Sequence, residues 1–201
     1  MRLTGSGLAS ERGGRLIFED VGFDLSDGEL LAITGPNGAG KSTLLRIIAG
    51  LLPATEGHVV ATPETDGPLN TFMHYLGHRD GLKAALTVRE NLEFWQKTAD
   101  SDGGIGPLDA LERVRLLHAV DMPAAYLSAG MRRRVAIARL LVVRRPIWLL
   151  DEPTSALDAR SEGELGDLIG AHLAAGGLVL AATHLKLPVA ITKSLRLGSA
   201  A

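Results

Sequence analysis

The feature that most constrains this chain is the run Gly35-Pro36-Asn37-Gly38-Ala39-Gly40-Lys41-Ser42-Thr43, preceded by the apolar stretch Leu30–Ile33 and followed by Leu44–Ala49. A strand must deliver the chain to a turn whose glycines lack Cβ, so that successive backbone N–H groups can face one another across the bend. The helix that follows adds its positive N-terminal end, and Gly50 stands where that helix should stop. The result is a cradle for a polyphosphate. Lys41 supplies a point charge for the outer phosphates, and Ser42 offers a hydroxyl to a Mg²⁺ bridging them. The expected ligands are therefore ATP and Mg²⁺.

The rest of the chain has to complete that cradle with one core. At 201 residues there is room for one substantial core and hardly for two. A net charge of -2 gives no electrostatic reason to expect nucleic acid as a partner. The absence of cysteine removes disulfides and thiolate metal sites, and fits a reducing compartment. Met1–Gly7 lacks the apolar centre of a signal peptide, and the longest uncharged apolar stretch, around Gly177–Thr183, is too short to cross a bilayer. Any membrane role is expected to be peripheral.

Taken in order, Leu16–Leu25 mixes β-formers with polar residues, and Ser26–Glu29 reads as the turn of an antiparallel hairpin leading into the loop's own strand. His58–Ala61 reads as a short strand of the same layer, Thr62–Asn70 as an exposed loop, and Thr71–Leu76 as a second core strand. Thr87-Val88-Arg89-Glu90 has the form of a capping box opening a helix over Asn91–Thr98. Ala99–Pro107 is a Gly/Asp-rich break, and Leu108–Val120 has apolar residues at helical spacing (Leu111, Val114, Leu117). A long helix over Ala129–Val143 follows Ser128 and stops at Arg144-Arg145-Pro146. The runs Ile147–Leu150 and Leu178–Ala182 are continuously apolar, as strands buried on both faces of a parallel sheet must be, with a helix over Ser161–Ala174 between them. Strand, helix and strand in this order form a βαβ unit. The fold class is α/β.

Asp151 and Glu152 close the strand Ile147–Leu150, at the end where open α/β sheets bind ligands. Asp151 can share the Mg²⁺ with Ser42, and Glu152 can orient or deprotonate a water in line with the γ-phosphate. An apolar run ending in Asp-Glu is common by itself; its weight comes from following a phosphate loop.

With Leu127-Ser128-Ala129-Gly130 between those two sites, Ser155-Ala156-Leu157-Asp158 after them and Thr183-His184 beyond, the chain resembles the ATPase subunits of ABC transporters. Five motifs in fixed order carry the resemblance over nearly the whole chain. It implies a P-loop NTPase core with a mostly parallel RecA-like sheet, an antiparallel β layer and an inserted α-helical subdomain. It also implies a single ATPase domain over 1–201, with core and β layer in 1–77 and 146–201 and helices in about 78–145. Catalytic roles fall by resemblance on Glu152, His184 and Lys41, and a D-loop role on Asp158. Ser128, Ala129 and Gly130 would serve the ATP of a second copy in a head-to-tail homodimer. Read from the residues alone, Ser128 is equally an N-cap and His184 a structural strand-end histidine.

Tyr75–Lys83 with Leu86–Trp95 narrows the resemblance to ATP-binding subunits of cytochrome c maturation exporters, as does the chain's close soon after His184. This implies an integral membrane permease as partner, a place on the cytoplasmic face of a bacterial inner membrane, and haem delivery as the process served. ATPases of lipid or drug exporters, a soluble ABC ATPase acting on ribosomes or DNA, and a non-hydrolysing nucleotide-binding module are the alternatives. Three departures from the family pattern matter. His78 stands where most members have a glutamine near Mg²⁺, Glu11-Arg12-Gly13-Gly14 replaces the adenine-stacking aromatic and leaves Arg12 as the adenine contact, and Met131 replaces a glutamine. His74 and His78 would share a strand face, but haem handling is expected of the partners. The run Arg132-Arg133-Arg134 reads as a solvated, salt-bridged helix face.

Overall fold

The computed structural model describes residues 1–99, 103–185 and 187–198. The apolar runs form the centre of a five-stranded sheet ordered β5-β6-β7-β3-β8, from β3 (Leu30–Thr34), β5 (Met73–Leu76), β6 (Ile147–Asp151), β7 (Leu178–Ala182) and β8 (Lys193–Arg196). Every neighbouring pair in it is parallel. All five positions of β6 and of β7 are buried, which is why neither strand shows alternation in sequence. Their side chains nonetheless separate with the strand period of two. Leu149, Leu180, Leu31 and Ile33 enter the core beneath helix α1 (Lys41–Ile48) and a three-stranded sheet. Trp148, Leu150, Val179, Ala181 and Ala32 enter a second core, covered by α4 (Ala129–Val142) and α5 (Ala159–Ala174).

The smaller sheet is antiparallel, ordered β2-β1-β4 from β1 (Arg2–Arg12), β2 (Arg15–Ser26) and β4 (Glu56–Thr62). Here the structure corrects the hairpin reading. The partner of β2 is β1, through the turn at Gly13-Gly14, whereas β3 lies in the other sheet. Ser26–Glu29 carries the chain between sheets, closed by a hydrogen bond from the Glu29 N–H to the Ser26 carbonyl at 3.0 Å.

Helices α2–α4 all lie between β5 and β6. The capping box of α2 (Val88–Thr98) is formed as expected: the Glu90 N–H donates to Thr87 Oγ1 at 3.2 Å, and the Thr87 N–H to Glu90 Oε2 at 2.8 Å. The helix read over Leu108–Val120 is shorter. It ends as α3 (Pro107–Arg113), and Arg115 takes the left-handed φ of 55°. The Leu116 N–H then reaches back to the Leu111 carbonyl at 2.8 Å, the closing bond of a Schellman end. That reversal buries Leu116 and leaves Leu117 45% exposed, in place of the predicted apolar face. Part of the break over 99–107, residues 100–102, lies outside the described residues.

His74 is buried in β5 with Nε2 2.7 Å from the Val143 carbonyl, and burial pushes its pKa down to about 3. His78 stands exposed beyond the strand's end, so the two do not share a strand face. His172 stacks on Trp148 at 3.9 Å between ring centroids, and burial pushes its pKa down to about 4.

Candidate nucleotide site

Parallel pairing brings the carboxyl ends of β3, β6 and β7 to one edge of the sheet. Ala182 pairs with both Ile33 and Asp151, so the start of the loop, the two carboxylates and Thr183-His184 emerge side by side. The loop bends as its glycines allow. Gly35, Gly38 and Gly40 have φ of 135°, 83° and 95°. A Cβ on Gly40 would stand 2.6 Å from Ile17 Cγ2 and 2.8 Å from Phe18 Cδ1, so the antiparallel layer packs directly against the turn. Helix α1 starts at Lys41 with no side-chain cap, leaving its first N–H groups to the loop's concave side. Lys41 is buried, and its ammonium donates to the carbonyls of Gly35 at 2.8 Å and Pro36 at 3.0 Å.

Ser42 Oγ donates to Asp151 Oδ1 at 2.9 Å. The other carboxylate oxygen accepts from the Tyr75 hydroxyl at 3.2 Å, and Arg46 Nε donates to that hydroxyl at 3.3 Å. Burial raises the Tyr75 pKa, so the phenol stays a donor. A hydroxyl and a carboxylate in contact, both hard oxygen donors, match what Mg²⁺ takes from protein when phosphates and water fill its other positions. Glu152 follows with φ of 46°, an uncommon left-handed conformation for a side-chain-bearing residue. Its Oε1 lies 2.9 Å from His184 Nδ1. A carboxylate held by a histidine beside a phosphate cradle can bind and polarise a water.

The other predicted residues stand apart from this cluster. Ser128 Oγ accepts from the Met131 N–H at 3.2 Å, so it caps α4. Gly130 sits under the turn after β6, where a Cβ would be 2.9 Å from the Ala156 carbonyl oxygen. Asp158 caps α5, accepting from the Ser161 N–H at 2.8 Å, which holds its carboxyl below the usual range. His78 lines a cleft with Asp80, Ala129, Arg132 and Ser155. Arg12 is exposed at the tip of the β1–β2 hairpin.

The arginine run departs from its reading as a solvated face. Arg132 and Arg134 both donate to backbone carbonyls, and Arg133 is 4% exposed with its guanidinium facing the back of the carboxylate turn. Its periodicity carried no such signal, because three consecutive arginines occupy three different directions around a helix.

Comparison with known proteins agrees with this geometry. Two curated relatives are named "Cytochrome c biogenesis ATP-binding export protein CcmA". The one from Rhodopseudomonas palustris (strain BisB5) is 54% identical over 202 residues, covering 100% of each chain. The one from Chelativorans sp. (strain BNC1) is 51% identical over 201 residues, covering 99% of each. A solved structure of the ATP-binding cassette MJ0796, described as dimeric and bound to ADP and Pi after hydrolysis, superposes with a TM-score of 0.78. It is 27% identical, and the match covers 91% of this chain and 88% of that one. The family description "ABC transporter" matches residues 18–155, which run from β2 through the phosphate loop to the turn after Glu152. This chain belongs to the ABC transporter family.

Proposed function

We propose that this ABC ATPase subunit drives an export step of c-type cytochrome biogenesis, the process in the names of its full-length relatives, with haem delivery as the task. The two sheets form the ATPase core, and the helices between β5 and β6 form a lobe that meets a membrane permease. The subunit works as a homodimer on the cytoplasmic face of the inner membrane. No described helix is long and apolar enough to cross a bilayer itself.

The loop N–H groups and Lys41 bind the phosphates of ATP, Lys41 exchanging its bonds to the loop's own carbonyls for phosphate oxygens. Ser42 and Asp151 hold Mg²⁺, which neutralises charge on the outer phosphates when bound. Glu152 takes a proton from the attacking water, and His184 keeps its carboxylate aimed at the γ-phosphate. Ser128, Ala129 and Gly130 face the ATP of the other subunit, and Asp158 lies in the turn between the two. Arg12 contacts adenine. His78 stands near the Mg²⁺ in place of the usual glutamine. The observation that carries this reading is the pair of contacts Ser42–Asp151 and Glu152–His184 on neighbouring strand ends.

The test is to express the chain with the membrane-protein genes beside it, carrying Glu152→Gln to hold the ATP-bound state, and identify what copurifies. Permease subunits of cytochrome c maturation are expected, with a haem-loaded carrier accumulating. A permease of another system would keep the ATPase mechanism and remove the haem assignment.

A further inference from the structure

The Arg133 guanidinium makes five hydrogen bonds. Nε donates to the Pro153 carbonyl at 3.2 Å, Nη2 to the carbonyls of Asp151 at 3.0 Å and Glu152 at 2.8 Å, and Nη1 to the Gly77 carbonyl at 2.8 Å and Asp80 Oδ1 at 3.3 Å. Three successive carbonyls, those of residues 151–153, therefore converge on one side chain from α4. They are the carbonyls of the turn that carries both carboxylates. Glu152 sits there in a left-handed conformation, and its own N–H is held from the other side by the Ala182 carbonyl at 2.8 Å. Such a conformation persists only where its surroundings over-determine it. The planar fork of arginine can meet several carbonyls at once, which the ammonium of lysine cannot.

We infer that Arg133 is a positioning residue: by gripping the carbonyls of residues 151–153 it sets where the Glu152 carboxylate stands relative to the phosphate loop, and it ties that placement to the Gly77–Asp80 segment. The inference rests on Glu152 being the water-activating carboxylate. Arg133 touches neither phosphate nor water in this role. It acts through the backbone of the residue that does, so a movement of the segment holding His78 reaches Glu152 through one rigid plane.

The experiment is a double-mutant cycle on the whole chain, reading phosphate release and nucleotide affinity. Arg133→Lys is expected to lower kcat by about 10²-fold, the scale of a misplaced catalytic group, with KM for ATP and nucleotide affinity held within about twofold. In a Glu152→Gln background the same substitution is expected to change the residual rate by less than about threefold, since residues acting as a unit are non-additive. A purely structural arginine would lower the rate equally in both backgrounds. That result, or wild-type kcat in Arg133→Lys, overturns the inference. Asp80→Asn serves as second variant should the lysine prevent folding: Asp80 is partly exposed, and its loss leaves the four carbonyl bonds in place. It is expected to cost about three- to tenfold in kcat, again only where Glu152 is intact, and equal losses in both backgrounds overturn the inference here too. Glu152→Gln alone, if it kept wild-type turnover, would remove the Glu152 assignment itself, separately from anything Arg133 does.

Discussion

Two helices of this molecule begin where a phosphate could lie, and they begin differently. Helix α1 has no side-chain cap: the residue before it, Gly40, is in the left-handed region with φ of 95°, and the loop wraps its own N–H groups inward. Helix α4 has an ordinary cap, with Ser128 in extended backbone and its hydroxyl taken by the Met131 N–H. Leaving a helix start uncapped forgoes about 1 kcal/mol that a serine would supply. That sacrifice makes sense only where a ligand supplies the missing acceptors. Around α1 stand Ser42, Asp151, Glu152 and His184; around α4 stand the turn at Ala156 and the cleft with His78 and Arg132. The first start is a nearly complete reaction site within one chain. The second is stable by itself and needs another molecule to give it a purpose.

The contrast can be broken most severely at the carboxylate. Glu152→Gln should lower ATP turnover by about 10²- to 10⁴-fold with nucleotide binding preserved, measured by phosphate release and equilibrium binding. Retained turnover would remove Glu152 from the site at α1. A second effect belongs to neither helix start and separates folding from function. His74 and His172 titrate near 3 and 4 in the folded chain and near 6.5 unfolded. The unfolded state therefore binds more protons below 6.5, and stability falls with falling pH. From pH 6 to pH 5 these two groups should remove about 2 kcal/mol, seen as a lower urea midpoint. An unchanged midpoint over that interval would mean that water reaches both rings.

Gly40→Ala puts a side chain in the left-handed region and against Ile17 and Phe18, at a conformational cost of about 1–2 kcal/mol. A loss of about tenfold in nucleotide affinity is expected by titration with a fluorescent ATP analogue, matching that cost. Ser128→Ala is the mildest change. It should lower the thermal midpoint by about 2–4 °C through the lost cap, leave nucleotide affinity of the isolated chain unaltered, and lower turnover of the dimer. Full turnover with the same midpoint shift would reduce Ser128 to a helix cap.

What could be read from the sequence was local. The phosphate loop, the Thr87 capping box and the apolar runs of β6 and β7 each state their structure within a few residues. Strand β1 went unread because Gly5, Ser6 and Gly7 interrupt its alternation, and the structure has register shifts against both neighbours there. Strand β8 is four residues of alternating exposure at a sheet edge, too short to carry a signal. The end of α3 depends on Arg115 adopting a conformation usually taken by glycine, so no helix-stop residue marks it. In the site, the motifs were legible because their spacing is a family pattern. Arg133 was not, because its partners lie at Gly77, Asp80 and 151–153, far along the chain from it.

The position of β3 has a consequence for how the molecule comes into being. This strand is paired on one side with β7 and on the other with β8, segments nearly 150 residues and more downstream of it. A Cβ on Gly35, where the loop leaves β3, would run into the Leu197 carbonyl oxygen. During synthesis the phosphate loop emerges early, yet nothing of its sheet exists to hold it until nearly all that follows has been made. Pairings over such separations are slow to form because the chain must close a long loop first. Nascent chains halted before β8 should be unable to retain ATP, which keeps an incomplete subunit from engaging nucleotide before it can use it.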